Sequence, residues 1–267
     1  MIVDTGRPIA LVTGASSGIG QELAACFARS QHDLVLVARS ADKLQALARE
    51  LEEHHQVKAL ALAIDLTEPQ SALRLFDSLK RRRCLPDVLV NCAGVLAQGQ
   101  FVHMKPAGHQ AIIDLNISAL TSMLSHFLPL MIKRGSGRVL NVASIAAFQP
   151  VPTLATYAAS KAYVLSLTES LSQELKDTGV TVTALCPGIT ATPMLSAATR
   201  ANQQLSRLPG FLIANVGDVA RQGFDACMRG DVICVPGLVN RAAMLASRAA
   251  PKWLLRGMGG LLARKVV

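Results

Sequence analysis

Short runs of Val, Leu, Ile and Ala alternate along the chain with longer stretches in which apolar residues recur every three or four positions. The short runs lie at Ile9–Thr13, Asp33–Ala38, Lys58–Ile64, Asp87–Asn91, Arg138–Ala143, Thr181–Leu185 and Val232–Val235. They are apolar almost throughout instead of at every second residue, which is the pattern of strands covered on both faces. Gly20–Ser30, Asp42–His54, Pro69–Arg83, Gly108–Lys133 and Tyr157–Asp177 carry the helical period. Strand and helix in alternation predict a parallel sheet with right-handed crossovers, an α/β architecture wound on both faces. No linker, repeat or low-complexity segment interrupts residues 1–240, which read as one domain. Residues 241–267 read as an appended tail.

Composition narrows the class. A chain of 267 residues, 51% hydrophobic and 17% charged, has ample apolar surface for a core and is not a disordered chain. It holds no run of about 18 consecutive apolar residues, so no membrane span of the usual kind is expected. Asp4 and Arg7 precede the first strand, and no signal peptide is expected there. The six cysteines include no CxxC pair and read as reduced thiols of a cytoplasmic protein. The net charge of +9 invites a nucleic-acid reading, but its location argues otherwise. Residues 241–267 contain six basic side chains and no acid, leaving a surplus of +3 on the remainder. With 4% aromatic residues there is no stacking platform for single strands, and no nucleic acid is expected.

The first strand runs into Thr13-Gly14-Ala15-Ser16-Ser17-Gly18-Ile19-Gly20 and then a helix. Glycines at 14, 18 and 20 suit a tight turn, close approach of a pyrophosphate and close helix–strand packing. The N–H groups of the following helix suit phosphate. The alternative is a glycine-rich turn with no ligand. At the end of the second strand, Arg39-Ser40 stand where an acidic residue would grip both ribose hydroxyls of NAD. A guanidinium matches a 2′-phosphate, so NADP(H) is preferred and NAD(H) is the alternative, unless Arg39 is merely solvated.

Tyr157 and Lys161 fall at i and i+4 on one helical face. A phenol near pKa 10 exchanges protons poorly at neutral pH, and a neighbouring ammonium is expected to lower that value. Ser144, just after a strand, is a hydrogen-bond partner for a substrate oxygen. A lone Tyr–Lys pair also occurs by chance on solvated helices.

The full set of motifs, TGASSGIG, NCAG at 91–94, Asn116, Ser144, YAASK at 157–161 and PGITATP at 187–193, resembles the short-chain dehydrogenase/reductase family over residues 8 to about 235. The resemblance implies a seven-stranded Rossmann-like domain and hydride transfer between a nicotinamide and an alcohol or carbonyl. It implies that Tyr157 is the general acid/base, that Ser144 orients the carbonyl, and that Lys161 tunes the tyrosine and binds the nicotinamide ribose. It assigns Asn116 to a proton relay, Asp65 (with Leu66) to the adenine, and Asn91, Ala93 and Gly94 to the cofactor cleft. Pro187, Gly188, Ile189 and Thr192 fall beside the nicotinamide, with Ser16, Ser17 and Ile19 in the glycine-rich loop. By their residue types alone, Asn116 also reads as a helix cap or kink, and Asp65 and Thr192 as loop hydrogen-bonders. Cys92 departs from the family's usual asparagine.

The segments expected to line a substrate pocket, 95–101, 145–153 and 193–213, supply Leu96, Phe101, Ile145, Phe148, Met194, Leu195, Phe211 and Leu212. They suit a hydrophobic ketone or aldehyde, with residues 190–213 as a lid. The histidines lack ligand spacing and no metal is expected. The tail, with Trp253, Leu254 and Leu255 among basic residues, suits packing on protein, with contact to an anionic membrane surface as the alternative. The resemblance also implies a homodimer or homotetramer. A dinucleotide sensor without turnover is the rival reading, and an NAD-dependent alcohol dehydrogenase working in the oxidative direction is another.

Overall fold

The computed structural model describes residues 6–196, 213–238, 240–242 and 244. Seven strands form one sheet in the order β3-β2-β1-β4-β5-β6-β7, and every neighbouring pair is parallel. They are β1 (Ile9–Thr13), β2 (Asp33–Ala38), β3 (Ala59–Ala63), β4 (Val88–Asn91), β5 (Gly137–Val142), β6 (Val180–Leu185) and β7 (Ile233–Cys234). The seven apolar runs thus each become a strand, with ends moved by no more than one residue.

Alternation along β1 shows why these runs are apolar throughout. Leu11 joins one hydrophobic core with Leu89, Val139 and Phe127, while Ala10 and Val12 join a second core with Leu34, Leu140 and Phe27. Both faces of the sheet are therefore dry, and each large side chain buried there contributes about 1.5–3 kcal/mol. Helices α1 (Gly18–Arg29), α2 (Ala41–His55) and α7 (Val216–Arg229) cover the second core; α3 (Ser71–Arg81), α5 (Leu120–Arg134) and α6 (Ala155–Glu174) cover the first.

The helix expected over 108–133 differs in detail. Helix α4 (Pro106–Ile113) continues through a π-helical turn (Asp114–Ala119) into α5, making a 29-residue run of mean hydropathy 1.4 in its most apolar window. By length and composition that run could cross a membrane, yet Met123, Phe127 and Met131 on it are buried in the first core. The π turn contains Asn116, and such turns gather at functional sites because they re-aim a side chain.

Strand order reverses between β1 and β4, and the carboxyl ends of strands around that point border the cleft described below. Of the expected 190–213 lid, residues 197–212 lie outside the described residues, and so does the tail from 245 onward. Where the described chain resumes, Thr190 pairs with Ala214 in a short parallel bridge.

Candidate active site

A cleft of about 880 Å³ opens at these strand ends. Its floor begins with the glycine-rich turn. Gly14 has φ +68°, and a Cβ there would sit 2.9 Å from the backbone of Ala93; a Cβ on Gly20 would strike the Gly14 carbonyl. Both positions thus need glycine, the first for its left-handed backbone as well as for space. The turn delivers the amino end of α1 to the cleft. Ser17 at that end makes no side-chain cap, and no acidic residue occupies the first turn, so the helix N–H groups and positive dipole end are available to an anion. Thr13 completes the floor: its hydroxyl accepts from the backbone N–H of Cys92 (3.0 Å) and Ala93 (3.1 Å) and donates to the Val90 carbonyl (3.1 Å).

At one end of the cleft Arg39, Ser40, Asp65, Leu66 and Thr67 line the wall. Asp65 accepts hydrogen bonds from the Thr67 hydroxyl (2.7 Å) and amide (2.9 Å), which hold its carboxyl below the ordinary value, helped by the nearby Arg39 guanidinium. Ser40 is the first residue before α2 and its side chain does not cap it. Gly14, Ser16, Ser17, Gly18, Ile19, Gly20, Ala93, Gly94, Pro187, Gly188, Ile189 and Thr192 all face the same cleft. This set offers what a dinucleotide needs: glycine space beside an uncapped helix end and a cation at one extreme, with a trio of serine, tyrosine and lysine at the other.

That trio is Ser144, Tyr157 and Lys161, all on the cleft wall. Ser144 follows β5 and caps a short 3₁₀ turn by accepting the Ala146 N–H at 3.1 Å. Tyr157 is in the first turn of α6 and is buried, with Ser144 hydrogen-bonded to its phenol oxygen. The electrostatics differ from the expectation. Burial pushes the Tyr157 phenol above its ordinary value, and the Ser144 hydrogen bond only opposes this. Lys161 does not lower it in this arrangement. Its Nζ lies 5.8 Å from the ring centre and donates to the Val142 carbonyl at 2.8 Å. Burial brings Lys161 itself down to about 8, with Cys92 and Cys186 acting in the other direction. An ammonium in a dry site loses hydration, and here that loss outweighs its attraction to the two neighbouring cysteines. Cys92, the departure from the family pattern, is pushed up to about 12 by burial and stays a thiol at neutral pH.

Four expected residues are placed elsewhere. Asn116 is buried behind the wall: its amide accepts from Val95 N–H (2.9 Å) and donates to the Val95 carbonyl (3.0 Å) and to Ser160 Oγ (3.1 Å). Both amide hydrogens are thereby used, so the side chain clamps the 94–96 loop instead of facing the cleft. Asn91 is likewise buried, and its amide donates to Asn141 Oδ1 at 2.9 Å. Phe148 is not part of the cleft lining and packs on the first core, where Ile145 of the same 3₁₀ turn also makes contact. Phe101 is exposed beside His109 and Phe211 and Leu212 lie outside the described residues. Leu96, Ile145, Met194 and Leu195 do line the cleft, joined by Gln98, Leu115, Gln149, Val151 and Leu154, which composition alone did not single out. Ser160 was also missed; it accepts from Asn116 and donates to the Tyr157 carbonyl (2.7 Å), and its only sequence signal is adjacency to Lys161. Among the described residues no cluster of His, Cys, Asp and Glu suited to a metal ion occurs.

The model of the short chain dehydrogenase family matches residues 8–203. An uncharacterized oxidoreductase of Staphylococcus saprophyticus is 33% identical over 193 residues, 72% of this chain and 82% of the relative. Among solved structures, a short-chain dehydrogenase from Sphingobium yanoikuyae in complex with NADPH is 34% identical with a TM-score of 0.81, over 90% of this chain and 93% of that one. A bulky-bulky ketone specific alcohol dehydrogenase from Comamonas testosteroni is 27% identical with a TM-score of 0.77, over 93% of this chain and 96% of that one. Fold, motif order and family match all agree: the chain is an oxidoreductase and belongs to the short-chain dehydrogenase family.

Proposed function

We propose that this protein is an NADP(H)-dependent reductase of hydrophobic ketones or aldehydes, with Tyr157 as the proton donor. The observation that carries the reading is the placement of Ser144, Tyr157 and Lys161 on one wall of a cleft whose other end holds Arg39 and an uncapped helix terminus. The glycine space at Gly14 and Gly20 fits a pyrophosphate against the amino end of α1. Arg39, with Ser40, would hold a 2′-phosphate, and Asp65 the adenine end. When bound, the nicotinamide supplies the hydride.

The protein's own contributions are positional and acid–base. Ser144 holds the carbonyl oxygen, and Tyr157 gives its phenol proton to that oxygen as negative charge develops there. A raised phenol pKa keeps Tyr157 protonated and ready as an acid. Lys161, released from Val142 toward a ribose, would bring its charge closer to the phenolate that remains. The apolar side chains Leu96, Ile145, Val151, Leu154 and Met194 exclude water and favour an apolar substrate. The NADPH complex of the Sphingobium protein and the ketone specificity in the name of the Comamonas protein support the same direction. An assembly of two or four copies belongs to this proposal too.

The test is oxidation of NADPH and NADH, side by side, over a panel of apolar ketones, aldehydes and acyl thioesters. Turnover with NADPH that disappears in Tyr157→Phe supports the reading. Bound NADPH with no turnover across the panel overturns it in favour of a sensor.

A further inference from the structure

Asn141 is a buried amide one residue from the end of β5, a strand whose other polar side chain is Arg138. It and Thr168 are fully buried, and Asn91 is nearly so. Asn91 stands opposite Asn141 in the β4–β5 register and donates to its Oδ1 at 2.9 Å. Asn141 Nδ2 in turn donates to Thr168 Oγ1 at 3.0 Å, and the Thr168 hydroxyl donates to the Val164 carbonyl at 2.7 Å. Polar groups this deep are costly unless paired, so the network favours the one arrangement that pairs them.

Its location relates it to the chemistry. Asn141 precedes Ser144 by three residues at the end of β5. Thr168 follows Lys161 by seven residues, about two helical turns, and so falls on the same face of α6. The contact ties the strand leading to Ser144 to the helix carrying Tyr157 and Lys161. The Lys161–Val142 hydrogen bond ties the same two elements, but through a side chain that the catalytic reading assigns to the cofactor. The Asn141–Thr168 bond is buried, outside the cleft lining, and does not involve Lys161.

We propose that Asn141 and Thr168 are positioning residues whose buried hydrogen bond sets how α6 sits on β5, and through it the alignment of Ser144 with Tyr157. The kinetic consequence rests on the functional reading above; the positioning itself does not.

Thr168→Val keeps the shape and removes the hydroxyl, and Thr168→Ser restores it. With NADPH and a carbonyl substrate, Thr168→Val is expected to lower kcat about ten- to a hundredfold with KM and NADPH affinity little changed, because misalignment costs rate and not binding. Thr168→Ser is expected to recover most of it. A second readout needs no turnover. The chain has two tyrosines, so in a Tyr163→Phe background the ultraviolet difference absorbance of the phenolate reports Tyr157 directly. Weakening the Ser144 hydrogen bond moves that ionisation to higher pH in Thr168→Val and not in Thr168→Ser. If the wild type reduces no carbonyl, the functional reading falls and the tyrosine titration still decides this one. Unchanged kcat and unchanged Tyr157 ionisation overturn the inference, whether or not the melting temperature drops. If Thr168→Val does not fold, Thr168→Ala, which leaves room for water to reach Asn141, is read by the same two measurements.

Discussion

Lys161 stands 5.8 Å from the centre of the Tyr157 ring while giving its hydrogen bond to the Val142 carbonyl. The two residues share a helical face, yet in this arrangement the lysine is held by β5 and the phenol answers to Ser144. Burial therefore raises the tyrosine and lowers the lysine together. Tyr157→Phe removes the acid proposed to protonate a carbonyl held by Ser144. It is expected to lower kcat/KM about 10²- to 10⁴-fold and to leave NADPH affinity unchanged, as read by steady-state kinetics and by the fluorescence of bound nicotinamide. Loss of affinity equal to the loss of rate would assign the residue to binding.

Arg39→Asp places a carboxylate where the proposed 2′-phosphate contact lies, beside Asp65. A charge-assisted hydrogen bond contributes about 1.5–3 kcal/mol, so NADPH affinity is expected to fall roughly ten- to a hundredfold while NADH affinity rises. Titration of both cofactors against both proteins checks this, and equal effects on the two would remove Arg39 from cofactor choice.

Gly20→Ala puts a methyl group against the Gly14 carbonyl, which only a shift of α1 away from β1 relieves. Such overpacking costs about 1–3 kcal/mol. Denaturant unfolding is expected to show that loss. NADPH affinity is expected to fall further than in a control of equal stability loss, since the helix end itself has moved.

Stability at alkaline pH follows from the buried thiols. Burial raises Cys227 to about 12 from an ordinary 9.0. The unfolded chain then releases this proton at lower pH than the fold does. The resulting stability is complete below pH 9.0 and is lost as pH rises toward about 12, with a limiting slope of about 1.4 kcal/mol per pH unit. Melting temperature is expected to fall above pH 9, and less steeply in Cys227→Ala. Parallel curves for the two proteins would show that another group governs the alkaline limb.

Much of the fold was legible because burial on both faces leaves a direct trace: each of the seven apolar runs became a strand. The π turn at Asp114–Ala119 left no such trace, since one extra residue per turn barely disturbs a helical period that continues through 120–134. That Gly14, Gly18, Gly20 and Arg39 would line one cleft was legible because all four follow the carboxyl ends of the first two strands. Asn91, Asn116 and Phe148 were not: the two amides point at partners 21 to 50 residues away, and Phe148 is drawn to a core assembled from distant elements.

The order of strands and helices and the doubly wound class were written in the sequence, since each depends on periodicity or on residue type. Tertiary structure alone decided the rest: that Asn116 clamps Val95 and Ser160, that Asn141 meets Thr168, and that Lys161 rests on Val142. It also decided the sign of the Tyr157 shift. Spacing on a helix brings two charges near each other, but the free energy of a charge is set by how much water the surrounding fold removes, and that is a property of every element packed around it.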